Sequence, residues 1–164
     1  MVFDREKLEQ DAKNKAKENK AFLAKLNKKK PKSLDDEAQR LHDEVFEYTD
    51  CLKCANCCKT ISPIVLNRDI DRIANHLRMK PKEVIEKYLL LDCDDDYVFR
   101  ETPCPFLMPD NYCMVYEARP KACREYPHTD RKRFFQITSL TYKNTFVCPA
   151  VFDVVEGLKP LFNR

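Results

Sequence analysis

Four cysteines within eight residues constrain this chain more than any other stretch of its sequence: Cys51, Cys54, Cys57 and Cys58, spaced C-x2-C-x2-C-C. We know of no enzyme chemistry that needs four adjacent nucleophiles. Thiols three residues apart can instead turn toward a single metal ion. The stretch is therefore predicted to bind metal, with the rest of the domain folded around it.

The remaining cysteines suggest a reducing environment. Five more follow, at positions 93, 104, 113, 123 and 148, and the odd total of nine argues against a closed set of disulfides. The N-terminal sequence MVFDREKLEQ lacks the apolar stretch of a secretory signal, which disfavours the alternative of an exported disulfide protein. No run reaches the roughly 18 apolar residues of a transmembrane helix. We expect a cytoplasmic protein with no membrane partner, whose cysteines are ligands.

Charge divides the chain into two predicted parts. The net charge is +3, and residues 1–32 carry ten Lys and one Arg against five Asp and Glu, which leaves −3 for the remainder. Residues 1–32 are predicted to form a basic helical extension, and residues 33–164 a cysteine-cluster metal-binding domain. Because the second part is not basic, no DNA partner is expected.

Apolar spacing predicts several helices. One over residues 3–29 has a thin apolar face, which packs loosely on the domain or finds a protein partner. A second, over 33–49, has Ser33 as its N-cap, Tyr48 on its inner face and His42 on its polar, exposed side. Three more are predicted over 68–78, after an Asn67 cap, from Pro81 onward, and over 149–158.

Strands are predicted only in the second half of the chain. Residues 97–100 and 112–116 flank the turn sequence Pro109-Asp110-Asn111, and so predict a short, irregular β-hairpin. Residues 134–138 predict another strand. The expected fold class is therefore α+β and mostly α: a small irregular cysteine-cluster domain preceded by N-terminal helices.

The spacing leaves the kind of metal centre open. C-x2-C-x2-C is the spacing of three ligands in bacterial ferredoxins, whose fourth cysteine is remote and precedes proline, as Cys104 and Cys148 do here. Zinc, mononuclear iron and an iron–sulfur cluster all remain candidates. Neighbouring side chains point apart, so the Cys57–Cys58 pair indicates two centres, or one ligand and one packed thiol. Cys93 fits a packed thiol better than a ligand.

Charged and polar neighbours add further candidates. His128 is a possible substitute ligand or a satisfied polar residue. Thiolate centres are anionic, and nearby cations can offset that charge from outside the ligand shell. The candidates, each also readable as an ordinary surface charge, are Lys53, Lys59, Arg119 and Arg124.

Four motifs together resemble the YkgJ-type cysteine-cluster family, a zinc- or iron-chelating CxxCxxCC domain. They are CLKCANCC, TPCPFL, CMVYEARPKACREYP and a late Cys-Pro, and the resemblance covers roughly residues 51–150. It implies a ligand set of Cys51, Cys54, Cys57, Cys58, Cys104, Cys113, Cys123 and Cys148, arranged as two four-thiolate sites or as one cluster with supporting cysteines.

The resemblance carries two further expectations. The family domain also occurs in flagellin lysine N-methylase-like proteins, which implies an alternative function as an iron–sulfur-dependent redox or methyl-transfer enzyme, although the chain has no glycine-rich nucleotide loop. The glycine common after the second cysteine is Ala55 here. A turn with positive φ is therefore not expected at that position.

Overall fold

The computed structural model describes residues 3–163, which are mostly α-helical with one small antiparallel sheet. In chain order the elements are α1 (Arg5–Lys29), α2 (Leu34–Phe46), α3 (Cys51–Cys54), α4 (Asn56–Thr60), α5 (Asn67–Leu77), α6 (Pro81–Tyr88), β1 (Leu89–Leu91), β2 (Tyr97–Phe99), α7 (Lys121–Glu125), α8 (Thr138–Asn144) and α9 (Pro149–Phe162). Short 3-10 helices lie at Tyr116–Ala118 and Phe134–Ile137. The predicted α+β, mostly α fold class is confirmed.

The chain divides into two compact units. The terminal unit contains the chain up to Cys51 and again from Pro127 onward, and the central unit is Leu52–Tyr126. Compactness does not measure independent folding, so the boundary between residues 1–32 and 33–164 stays a prediction. Among residues 3–163, no helix combines the length and the apolar character needed to cross a bilayer.

Helix α1 is part of the core of the terminal unit. Asp4 caps its N-terminus, with its carboxylate accepting a hydrogen bond from the Lys7 amide at 3.0 Å. The apolar face packs against α8 and α9. Its buried members include Leu8, Ala12, Phe22, Leu23 and Leu26. The predicted stripe is thus real, and this unit covers it.

Helix α9 supplies the centre of the same core. Pro149 opens the helix at a position where its missing N–H costs no hydrogen bond. Five side chains of the helix are fully buried: Ala150, Val151, Val154, Val155 and Leu158. The nearly buried Lys159 pairs with Glu18 of α1 at 2.8 Å and with Glu156 at 2.7 Å, so an ion pair joins α1 to α9. The helix runs four residues beyond the predicted end at 158.

The predicted strand over residues 134–138 is wrong. These residues form a 3-10 helix that leads directly into α8. The cause is a tertiary cap: Asp35 in the first turn of α2 accepts hydrogen bonds from the amides of Arg133 at 2.7 Å and Phe134 at 2.9 Å. A carboxylate that collects successive amides stabilises the start of a helical turn. The local run of apolar residues carries no sign of this distant partner.

Helix α2 is shorter than predicted. It ends at Phe46, so Tyr48 lies beyond it and is 69% exposed instead of facing inward. Ser33 precedes the helix as expected, but its side chain makes no capping hydrogen bond. His42 is half-buried and not simply exposed: its Nδ1 lies 2.7 Å from the Thr129 hydroxyl, and its ring packs on Phe46.

The central unit has a separate core between α5, α6 and the sheet. The predicted helix over 68–78 is present as α5, with Ile70, Ile73 and Ala74 buried on its inner face. The cap of this helix is Leu66 and not Asn67, and Asp69 accepts the Leu66 amide. An aromatic group closes the core, with Phe106 against Tyr88 and Phe99 at ring-centroid distances of 4.7 and 5.5 Å.

The predicted pairing of residues 97–100 with 112–116 is also wrong. Strand β2 forms as expected, but it pairs with β1 in the register Leu89↔Phe99, Leu90↔Val98 and Leu91↔Tyr97. The acidic turn between them folds on itself, because the Asp92 carboxylate accepts the amides of Asp94 and Asp96. In the 112–116 segment, Cys113 makes one isolated bridge to Leu107.

Candidate metal centre

The cysteine tetrad folds as two short helices joined at a single residue. Helix α3 ends at Cys54 and α4 begins at Asn56, and Ala55 between them has φ 48° and ψ 18°. Ala55 is also 5% exposed. The expectation that alanine excludes a positive φ here is wrong, because the buried surroundings impose the left-handed turn despite its cost. This turn separates Cys54 from the Cys57–Cys58 pair.

The adjacent thiols of Cys57 and Cys58 lie 4.0 Å apart, both half-buried. The hydrogen bond from Cys57 lowers the pKa of Cys58 to about 7, against the opposing effect of burial. The charges of Lys59 and Arg119 lower the same pKa further. Cys58 is therefore the most readily ionised thiol among those with a resolved pKa shift, and the thiolate is the form that binds metal.

The second cysteine motif is hydrogen-bonded to the first. The Cys104 amide donates to the Cys58 carbonyl at 2.8 Å. The following turn brings the chain back, with the bridge between Leu107 and Cys113 and with the Asn111 amide group donating to the Leu52 carbonyl at 2.8 Å. Two chain segments that are remote in sequence thus lie together beside Cys58.

Four half-buried thiols form an electrostatically connected set that we call the quartet: Cys58, Cys104, Cys113 and Cys123. Every pair among them interacts. Burial raises the pKa of Cys104 to about 11 and that of Cys123 to about 12, and the other thiols of the quartet raise both further. Burial also raises the pKa of Cys113. A cation placed near these neutral thiols would stabilise several thiolates at once.

Backbone amides point at three of the thiols. The amide of Asn56 donates to Cys54, that of Phe106 to Cys104 and that of Val115 to Cys113. In each case the donor lies two residues after the cysteine. Each bond lowers the pKa of its thiol and opposes the larger effect of burial, because an N–H donor stabilises sulfur in its charged form.

The other candidate residues belong to other parts of the chain. Cys51, the exposed first residue of α3, and Cys148, the half-buried residue before α9, belong to the terminal unit. Cys93 is exposed in the acidic turn after β1, so the prediction of a packed thiol at this position is wrong. His128 also belongs to the terminal unit, where its φ is 66°. The central unit therefore contains six of the eight predicted ligands: Cys54, Cys57 and the quartet.

The thiols do not form a closed coordination shell. Within residues 3–163, no three Cys, His, Asp or Glu side chains converge closely enough to hold a metal ion. The chemistry of the donors nevertheless fits zinc or iron, since both are bound by thiolates in proteins. Binding would therefore require the thiols to close around the ion, a cost that metal–thiolate bonds can offset.

A buried ion pair outside the cysteine motifs anchors the segment between Cys113 and Cys123. Asp69 of α5 is 1% exposed, and its carboxylate accepts hydrogen bonds from Arg72 and from the Lys121 amide. Arg72 also donates to the Arg119 carbonyl at 2.9 Å. Neither Asp69 nor Arg72 stands out in the sequence as part of a site. The only sequence sign was an acid three residues before an arginine, which is common on any helix.

These observations define a mostly α protein whose central unit gathers thiols from separate cysteine motifs. The chain matches the CxxCxxCC family, described as a "putative zinc- or iron-chelating domain", over residues 50–148. The match covers more than half of the chain, so the protein belongs to this family, and the predicted resemblance is confirmed.

One curated relative is an uncharacterized protein of Methanocaldococcus jannaschii, MJ0661. It is 31% identical over 100 residues, which cover 59% of this chain and 53% of that protein. The matched part therefore spans about half the length of this relative. No solved structure matches the chain.

Proposed function

We propose that the protein is a metal-binding protein whose central unit takes up zinc or iron through the quartet. The observation that carries this proposal is the mutual interaction of Cys58, Cys104, Cys113 and Cys123, four thiols drawn from three separate motifs. Four thiolates are the usual ligand number of a structural zinc ion and of an iron–sulfur cluster.

The surroundings support this assignment. Three amides donate to Cys54, Cys104 and Cys113, and the positive charges of Lys59 and Arg119 act on neighbouring thiols. Donors and cations of this kind stabilise thiolates and orient metal ligands. Cys54 and Cys57 serve as flanking thiols or as further ligands. Cys51 and Cys148 complete the set of eight cysteines. They are either ligands of a second centre or members of a supporting shell. The reduced thiols that this function needs suit a cytoplasmic location.

The test is purification without oxygen, followed by elemental and labile-sulfide analysis. Bound zinc alone, iron alone, or iron with equivalent sulfide would separate a zinc site, a mononuclear iron site and an iron–sulfur cluster. The proposal would be contradicted if the protein is purified without metal and, when reduced, also binds neither zinc nor ferrous iron. Recovery of an intact cluster would support the redox or methyl-transfer alternative enough to justify assays.

Single Cys→Ser variants identify the ligands. Substitution of any quartet member is expected to reduce the bound metal, whereas Cys93→Ser is the matched control, because Cys93 is exposed and outside the family pattern. Cys51→Ser and Cys148→Ser decide between one centre and two: loss of half the metal in both indicates a second site that they share. Equal metal content in all quartet variants and in the wild type would rule out the quartet.

A further inference from the structure

Arg119 is held beside the quartet by its side chain and by its backbone. Its guanidinium carbon lies 3.6 Å from the centroid of the Tyr116 ring, and Tyr116 itself stacks on Tyr112 at 5.6 Å. A cation over a tyrosine face is attracted by the ring quadrupole, and a planar guanidinium also stacks on it. The side chain is therefore fixed in orientation although its segment has little regular structure.

The backbone of Arg119 is fixed independently. Arg72 donates to its carbonyl at 2.9 Å, and Arg72 is paired with the buried carboxylate of Asp69. The same carboxylate accepts the Lys121 amide at 3.1 Å, two residues further along. Since Asp69 and Arg72 lie on α5, the position of Arg119 is set by a helix of the central-unit core.

The charge of Arg119 is directed at the thiols. It lowers the pKa of Cys58, Cys113 and Cys123, which come from two of the three motifs. Its Nε–H is buried and has no hydrogen-bond acceptor among residues 3–163. A buried donor without an acceptor is costly unless a partner arrives when the site is filled. A metal-bound thiolate would be such a partner.

We infer that Arg119 is the positioning cation of the metal centre. Its positive charge favours a bound metal whose complex with the thiolates keeps a net negative charge. This rests on the proposed function. A divalent ion with four thiolates carries a formal charge of −2, so zinc or ferrous iron fits better than a centre with neutral ligands. Lys59 also acts on Cys54 and Cys58, but its exposed side chain has no ring contact and only a long hydrogen bond, 3.4 Å, to the Cys54 carbonyl.

The test is titration of the reduced, full-length protein with Co²⁺, followed through thiolate-to-cobalt absorption, with Zn²⁺ competition to give both affinities. Arg119→Gln is expected to weaken both by about 10- to 100-fold, the range typical when partners of metal ligands are removed. Arg119→Lys, which keeps the charge, should recover most of the loss. Arg124→Gln, with the same charge change at an exposed residue next to Cys123, should bind as the wild type does.

Three results would overturn the inference. These are unchanged binding in Arg119→Gln, an equal loss in Arg119→Lys, and an equal loss in Arg124→Gln. Arg119→Met keeps the apolar stem without the charge and should match Arg119→Gln. Altered circular dichroism in both metal-free variants would instead assign Arg119 a folding role. A wild-type protein that binds no Co²⁺ contradicts the proposed function itself, which separates the two failures.

Discussion

The amide of Cys104 donates to the carbonyl of Cys58 at 2.8 Å, so two cysteines 46 positions apart in number are adjacent through their backbones. The bond joins the end of the tetrad to the motif Thr102-Pro103-Cys104-Pro105. The pKa values of Cys58 and Cys104 are shifted in opposite directions, so Cys58 ionises at a lower pH than an ordinary thiol and Cys104 at a higher pH. The first prediction follows from that difference.

Alkylation of the reduced, metal-free protein should modify Cys58 first. Its rate should rise with a midpoint near pH 7, whereas Cys104 and Cys123, with pKa values near 11 and 12, should stay unreacted in that range. Peptide mass spectrometry after short exposures to iodoacetamide measures each site. Cys57→Ala removes the donor to Cys58 and should move its midpoint upward. Equal rates at all three cysteines would contradict the assignment.

The same shifts predict how stability of the metal-free protein depends on pH. Cys58 has a depressed pKa, so its contribution to the free energy of unfolding is fully present above the ordinary thiol pKa of about 8.5. This contribution is lost as the pH falls through about 7. Cys104 and Cys123 have raised pKa values, so their contributions are present below about 8.5 and are lost as the pH rises through about 11 and 12. The melting temperature should therefore fall on the alkaline side. A melting temperature that still rises above pH 9 would contradict this.

Metal removal should loosen part of the central unit and leave the rest intact. Between β2 and α7 the chain has one 3-10 helix and one isolated bridge, so regular secondary structure contributes little to its order. Loss of metal should increase hydrogen exchange over residues 100–120, because metal binding and folding are coupled. Helices α1 and α9 in the terminal unit serve as the internal reference. Unchanged exchange over 100–120 in verified metal-free protein would refute the coupling.

Ala55 tests how much the left-handed turn of the tetrad costs. Ala55→Gly relieves the positive φ but loses a buried methyl group and widens the unfolded ensemble, so its stability should stay within about 1 kcal/mol of the wild type. Ala55→Val places a β-branched side chain at the same φ and should cost about 2 kcal/mol or more. Thermal unfolding measures both. A valine variant as stable as the glycine variant would show that the turn is not left-handed.

Gly157 of α9 packs closely against Leu41 of α2. A Cβ at this position would lie 2.8 Å from Cδ2 of Leu41. In Gly157→Ala, the helix-propensity gain of about 1 kcal/mol opposes an overpacking cost of about 1–3 kcal/mol, so a net loss of about 1 kcal/mol is expected. In a Leu41→Ala background the clash is absent, and the same change should stabilise by about 1 kcal/mol. Additive effects in this double-mutant cycle would mean that the two residues do not touch.

The elements that sequence reasoning recovered are those whose stabilising contacts recur along one face. Helices α1, α2, α5 and α6 show apolar residues at helical spacing, and most of these residues are buried or half-buried. The strand expected at 134–138 failed because Asp35, distant in sequence, determines that segment. The hairpin failed because the turn that pairs β2 with β1 consists of aspartates, which read equally well as a solvated loop.

The candidate site was predictable in its chemistry but not in its grouping. Spacing identifies Cys51, Cys54, Cys57 and Cys58 as thiols that can share a local turn. It carries no information on which remote cysteine approaches which. The association of Cys58 with Cys104 depends on a backbone hydrogen bond, which any residue types can form. Likewise Arg119 and Arg124 look alike in the sequence, and only the ring of Tyr116 and the anchor from Arg72 distinguish them.

Among residues 3–163, seven residues other than glycine adopt a positive φ: Lys30, Ala55, Arg78, Asp95, Asn111, His128 and Arg133. A chain with one glycine must make left-handed turns in this way, at roughly 1 kcal/mol or more for most of them in the folded state. The same composition restricts the denatured chain, because each side chain in place of a glycine removes roughly 0.4–1 kcal/mol of backbone freedom. A smaller loss of conformational entropy on folding thus offsets part of the strain in the turns. In a protein with long loops, a denatured chain with fewer conformations lowers the entropy cost of ordering those loops on folding.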